Sequence, residues 1–466
     1  VFLDTVFTNI GSSTYNLKVY NKSNKDITIP SIGLENGSTS NYRLNVDGIP
    51  GKTFQNIDIL ANDSIYVFVE TTIDAASITN PLYTDRILFD NGNNQQDVDL
   101  VTLVQDATFI FPGKNPTTME IDSLLLDGKP FTKGRFLKDS ELTFTKTKPY
   151  VIYGYIAVPE NKTLTIDAGA SIFFHDNSGL IIDKKATIKI NGTLSEQVTF
   201  EGDRLEHRFD DIPGQWGAIW LRAGSLNNEV NHAIIKNATI GILIDSIGTP
   251  TTPTLDIKNS QIYNSSAYGM LGRESNIKGN NIVIGSAGFA SFVGSFGGTY
   301  NFTHSTFANY WSNSSRQLPA VLINNFITFK DQNNIDVTLT RDLHAANFTN
   351  CIIDGNNNVE FVIDKVDGTV FNYSIKNCMI QFNDISNSFT NNNELNFNDT
   401  AHYIDNILNG NVHFKNTSLN EFNIGQDNDG INKALKNTSL LFPLDILGVD
   451  RTATPDIGAY QHVTFQ

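Results

Sequence analysis

Methionine and tryptophan occur only three times each in the 466 residues, and cysteine only twice. No apolar run reaches the roughly 20 residues that a membrane-spanning helix needs. Two cysteines leave the redox compartment undecided. Basic residues are also scarce: 33 Lys and Arg stand against 49 Asp and Glu, for a net charge of −16. A nucleic-acid binder displaces counterions with a cationic stripe, and none is visible, so nucleic acid is excluded as a partner. The same acidity repels anionic lipid headgroups. It leaves open a neutral glycan or a protein partner. The chain opens at Val1-Phe2-Leu3-Asp4-Thr5-Val6-Phe7, the pattern of a strand interior, without an initiator Met. The mature protein is therefore expected to start upstream of residue 1, where any signal peptide or lipid anchor would lie out of view.

What is present argues for a packed β protein. Hydrophobic residues make up 40% and charged residues 18%, enough apolar material for a core. Asn is abundant, and Asn tolerates the left-handed backbone of tight bends. Residues 1–104 read as short alternating strands, such as Tyr15–Tyr20 and Ser64–Val69, separated by turn clusters such as Glu35-Asn36-Gly37-Ser38. That spacing predicts a β-sandwich. Residues 105–150 read as a connector that caps the exposed sheet end of the C-terminal domain.

From residue 235 a repeat appears: apolar, any, Asn, small, any, apolar. It runs Ile235–Ile240, Ile257–Ile262, Ile277–Ile282, Phe302–Phe307, Leu322–Ile327, Phe348–Ile353, Ile375–Ile380 and Phe414–Leu419. Gly279 and His304 stand at the Asn position in two of these. Strand-forming residues dominate, so the repeat predicts a parallel solenoid, with one coil per period and the Asn as a bend between strands. Strand alternation turns the small residue after the Asn inward. Cys351 and Cys378 both hold that position and are expected to lie buried on adjacent rungs, reduced rather than bonded.

Two stretches are more specific. One is Val151-Ile152-Tyr153-Gly154-Tyr155-Ile156-Ala157-Val158-Pro159, leading to Gly214-Gln215-Trp216-Gly217-Ala218-Ile219. It resembles the opening coils of right-handed parallel β-helix proteins of the pectate-lyase-like superfamily. The other, Leu447-Gly448-Val449-Asp450-Arg451 with Pro455-Asp456-Ile457-Gly458-Ala459-Tyr460, is similar to a closing motif of such proteins in Bacteroidota. The first 104 residues resemble the immunoglobulin-like modules at the front of Bacteroidota surface proteins. The resemblance implies an all-β chain, a sandwich followed by a β-helix over 151–466, at the cell surface or outer membrane. It does not decide activity, because the superfamily holds lyases, hydrolases, adhesins and non-catalytic lipoproteins. In the closing motif, Asp450 and Arg451 are expected to lock the last coil and Tyr460 to cover its apolar rung.

No catalytic constellation, metal-ligand set or cofactor motif emerges. Asp427-Asn428-Asp429-Gly430 lacks the ligands of a calcium loop and reads as a turn. His175, His232, His304, His344, His402, His413 and His462 show no metal spacing. Tyr300, Tyr310 and Trp311 are expected to stack inward. The densest polar stretch is Arg204-Leu205-Glu206-His207-Arg208-Phe209-Asp210-Asp211. Arg204, Glu206, His207, Arg208, Asp210 and Asp211 are the candidate binding residues for a glycan or partner protein. Five Asp-Ser/Thr-aliphatic triplets resemble the O-glycosylation pattern of exported Bacteroidota proteins, with acceptors Thr5, Ser64, Ser123, Ser246 and Thr400. The sequence thus points to a non-catalytic surface scaffold. A polysaccharide lyase or glycosidase, and a purely structural or adhesive component, stand as alternatives.

Overall fold

The computed structural model describes residues 2–74, 80–245 and 252–465. The chain is nearly all β and divides into two compact units. One comprises Val1–Thr108 with Arg204–Asp210, the other Phe109–Asp203 with Asp211–Gln466.

In the first unit, a five-stranded and a four-stranded sheet share one apolar core. Alternation explains it: in Ser64–Thr71, Ile65, Val67 and Val69 point in while Tyr66 and Phe68 point out. Facing residues from the other sheet include Ile32, Leu34, Ile87 and Leu100.

The second unit contains an 11-stranded sheet and an 18-stranded sheet. From Lys129–Phe136 through Ala238–Ile244 the chain lays down short strands, each paired in parallel with the strand three places later; beyond them longer strands that run through a corner keep the parallel pairing from rung to rung. Three stacks result, and the pairing is compatible with a parallel solenoid. It begins at Gly134, inside the segment read from the sequence as a connector. In the first stack the inward ladder is Ile156, Leu180, Ile219, Ile242, Met270, Phe292, Val321 and Phe361. All are buried, and each is worth about 1.5–3 kcal/mol. Phe382, Phe389 and Phe397 pack against the far end of this core.

The corner between the second and third stacks is one left-handed residue per rung. His232, Asn259, Asn281, His304, Asn350, Asn377 and Asp405 all have φ between 46° and 57°. Each backbone N–H from His232 to Asn377 donates to the carbonyl just before the next corner, as in Asn281 to Thr303 and His304 to Thr349. The Asn side chains add a second ladder: Asn281 Nδ2 donates to Asn259 Oδ1 at 3.1 Å, and Asn259 Nδ2 to Asn231 Oδ1 at 3.0 Å.

Four of the eight sequence repeats sit on this corner; the others need correction. Asn237 is left-handed but lies at the next corner, between Ala233–Lys236 and Ala238–Ile244. Asn324 ends a first-stack strand, and Asn416 belongs to a separate antiparallel pair. Gly279 is not a bend. It pairs with Ile257 and Phe302 in the inward ladder, and the bend falls at Asn281. Glycine is needed there because a Cβ would meet the Phe302 ring at 2.5 Å. Cys351 and Cys378 lie as expected on neighbouring rungs, buried and unbonded, with the Cys351 N–H 3.4 Å from Cys378 Sγ. Burial pushes the Cys351 thiol well above its usual value.

Residues after 410 cover the outer face of the third stack, where Val283, Ala308, Ile352 and Met379 meet Phe422, Ile457, Ala459 and Tyr460. The closing motif therefore lies across several rungs instead of locking one. Its acidic partner also differs from expectation. Asp450 is exposed and accepts from Thr452 N–H, whereas Asp445 and Asp456 gather the strap's backbone N–H groups. Arg451 is buried, donates to the carbonyls of Gly458 and Ala459 at 3.2 and 3.1 Å, and is pushed down to about 10 by burial. Tyr300 is inside the core; Tyr310 is half-buried against Phe414 and Phe422.

His304 joins corner to strap. Its Nε2 accepts from Asn350 Nδ2 at 2.9 Å, so the neutral ring carries its proton on Nδ1, facing Gly458 O at 3.3 Å. Burial, then Arg451, holds it well below its ordinary value. A histidine kept neutral in the fold but protonating near about 6.5 when unfolded contributes stability above that pH, lost as pH falls below it. The melting temperature should thus drop between pH 7 and 5.5. His304→Asn, which restores the corner residue of neighbouring rungs, should flatten that slope; an unchanged slope would contradict the role. Gly279→Ala should cost about 1–3 kcal/mol by overpacking, measured by chemical denaturation.

Candidate functional site

The candidate residues of 204–211 separate. Arg204–Asp210 groups with the first unit, Asp211 with the second. Arg204 donates to Glu206 through Nε at 3.1 Å and Nη2 at 2.8 Å, and its guanidinium lies 3.9 Å from the Phe209 ring centre. Glu206 is buried and also accepts from Ser13 Oγ. Burial raises its pKa, but the bonds from Arg204 and Ser13 outweigh this and hold the carboxyl below its usual value. His207 pairs with Asp210. Arg208 is exposed, with its guanidinium 5.0 Å from the same Phe209 ring. Asp211 accepts from Asn264 Nδ2 at 3.1 Å. Of the O-glycosylation candidates, Ser123 and Thr400 are exposed, Thr5 and Ser64 are half-buried in strands, and Ser246 lies outside the described residues.

A groove that the sequence reading missed lies on the outer face of the first stack. Outward residues there form two ladders. One is apolar: Ala157, Ile181, Trp220, Leu243, Leu271, Val293, Leu322 and Val362 are successive partners. The other alternates in charge, with Arg222 paired to Asp183 and Arg273 to Asp245. The hairpin of Ser123–Leu126 and Lys129–Phe136 covers Ala157 and Ile181 through Leu124 and Leu126.

Beyond the hairpin an open cavity of about 430 Å³ is lined by Phe131, Tyr155, Trp220, Ile240 and Leu243, with Asp176, Asn177 and Arg273 among its polar groups. Phe131 meets Trp220 at 5.3 Å and Tyr155 edge-on at 6.1 Å between ring centres. Tyr155 lies flat because two rungs beside it carry glycine. A Cβ at Gly179 would come within 2.4 Å of its ring, and one at Gly217 within 1.9 Å of its hydroxyl. Burial raises the Tyr155 pKa. Trp220 Nε1 donates to Asp245 Oδ2 at 2.8 Å, and Arg273 Nη2 donates to the same oxygen at 2.7 Å. That carboxylate fixes both the indole and the guanidinium.

Chemically this is a surface for an amphipathic ligand: aromatic faces and edges with a few fixed polar groups beside them. Among the described residues, Asp176 is the carboxylate that lines the groove. Among the described residues, no group of three or more His, Cys, Asp or Glu side chains is placed to hold a metal ion, and no helix is long and apolar enough to cross a membrane.

No family model matches the chain, and no curated protein matches it. One solved structure, a family 123 glycoside hydrolase from Clostridium perfringens studied for glycolipid glycan hydrolysis, is similar over 22% of this chain and 22% of its own. The identity there is 11% and the TM-score 0.17, and a likeness of that size carries no functional argument.

Removing Arg204 would leave Glu206 buried without its cation. Arg204→Ala should destabilise the first unit by about 1–3 kcal/mol, while Arg208→Ala should stay within about 0.5 kcal/mol. Thermal unfolding of both variants distinguishes a fixed structural pair from an exposed cation.

Proposed function

We propose that this chain is a non-catalytic glycan-binding scaffold: a right-handed parallel β-helix of the pectate-lyase-like kind behind an immunoglobulin-like β-sandwich, exported to the cell surface or outer membrane of a Bacteroidota-like cell. The observation that carries the reading is the Phe131–Tyr155–Trp220 groove. A pyranose ring offers an apolar C–H face to aromatic rings and hydroxyls to flanking polar groups, and Asn177, Asp176 and Arg273 supply those. Stacked strands hold Tyr155 and Trp220 on a rigid backbone, which lowers the entropic cost of binding, and the antiparallel hairpin presents Phe131 beside them. An upstream lipid anchor and O-glycans on Ser123 and Thr400 belong to this proposal. The exposed Arg208 and His207 are its secondary surface for a protein partner.

The test is calorimetry of the chain against surface polysaccharides and defined neutral oligosaccharides. Trp220→Ala and Phe131→Ala should each weaken binding by roughly ten-fold with the fold intact by circular dichroism. Equal binding by the variants would remove the groove from the proposal. Release of reducing ends or unsaturated products on incubation would replace it with an enzymatic reading.

A further inference from the structure

Lys278 stands on the outer face of the second stack, between Asn276 and Asn280 in Tyr268–Asn280. Its register partner on the next rung is Asn301, and that of Asn280 is Thr303. These side chains line a cavity of about 300 Å³ that Pro253 and Phe442 help to close.

Its chemistry is one-sided. Among the described residues no carboxylate lines it, in a chain of net charge −16. The register neighbour on the other side, Asp256, pairs with Lys258 at 3.3 Å and not with Lys278. Lys278 has no ion pair among the described residues. Asn280 is 3% exposed, and among the described residues its Nδ2 has no hydrogen-bond partner. A buried amide donor left unpaired costs stability, so it needs an explanation. Asn301 Oδ1 is occupied by Asn347 Nδ2 at 2.8 Å, which leaves its NH₂ as a donor for a ligand. Thr303 adds a hydroxyl. The lining thus offers an ammonium, amide NH₂ groups and an alcohol, and no competing anion.

We propose that this cavity is a second binding site, separate from the aromatic groove, for a compact ligand bearing one oxyanion, a carboxylate or a sulfate. Lys278 supplies the charge, Asn280 and Asn301 the directed donors, and Phe442 the apolar wall against which a sugar-sized body packs.

The test is calorimetry of the whole chain with glucuronate, sulfate and, as the uncharged ring control, glucose. Competition between glucuronate and sulfate shows whether the carboxylate and the sulfate share the site. At least one anion should bind, glucose should not, and Lys278→Gln should weaken the anion by roughly ten- to hundred-fold. Lys278 is half-exposed, so the variant should fold, and its melting curve checks that. Trp220→Ala should leave anion binding intact. The proposal is overturned if neither anion binds at millimolar concentration, if Lys278→Gln binds as tightly as the parent, or if glucose binds as well as glucuronate. Loss of anion binding in Trp220→Ala would overturn it too, by moving the anion to the groove. Failure of the anion site leaves the aromatic groove untouched, and the reverse also holds.

Discussion

Everything in the second unit depends on register, and from His232 onward register is held at one corner by a left-handed residue in each rung. A shift of one position in any parallel strand would turn its inward isoleucines and phenylalanines to solvent. The corner from His232 to Asp405 prevents that shift. A positive φ is inexpensive for Asn, Asp and His and costly for branched residues, and one of these three types holds this corner in all seven rungs. The corner N–H then bonds to the next rung and carries the alignment forward. The inward ladders of these rungs follow from this, and so does the outer face that bears Lys278.

Polar groups inside the unit are placed to serve the same end. Arg316 and Glu360, both fully buried, pair with each other, and Arg316 also reaches the carbonyls of Asn309 and Leu318. Glu360 in turn accepts the N–H groups of Ala320 and Asn357. Such a pair adds little net stability over an apolar one, but breaking it leaves a buried charge. It fixes the path of the long loop between two rungs. Arg451 does the same for the C-terminal strap, directing its charge at backbone carbonyls. Gly458 lets the strap approach, since a Cβ there would sit 2.7 Å from Ile352.

The outer faces show how a regular core yields irregular surfaces. Outward positions are free of the core's demand for aliphatic residues, so glycine at 179 and 217 and aromatics at 131, 155 and 220 are tolerated and together make a flat-floored groove. On the adjoining stack the same freedom gathers Lys278 with asparagines. Neither surface disturbs the ladders beneath it, because the side chains of a strand alternate.

The sequence by itself determined the all-β character, the parallel repeat and much of the corner, because a left-handed backbone leaves its mark on residue type. It also placed Cys351 and Cys378 correctly, since both come directly after an Asn that really is a corner. Where residue type is ambiguous it misled. Gly279 reads as a bend, but it is small because Phe302 of the next rung fills its space, and only the packing reveals that. Arg204 and Glu206 read as candidate binding residues, and only the fold shows that they pair with each other. Phe131, Tyr155 and Trp220 are spread over 89 positions and share no local motif. Rungs of unequal length bring them together, and the lengths of the loops between strands, which set which residues meet across rungs, are decided only when the strands stack.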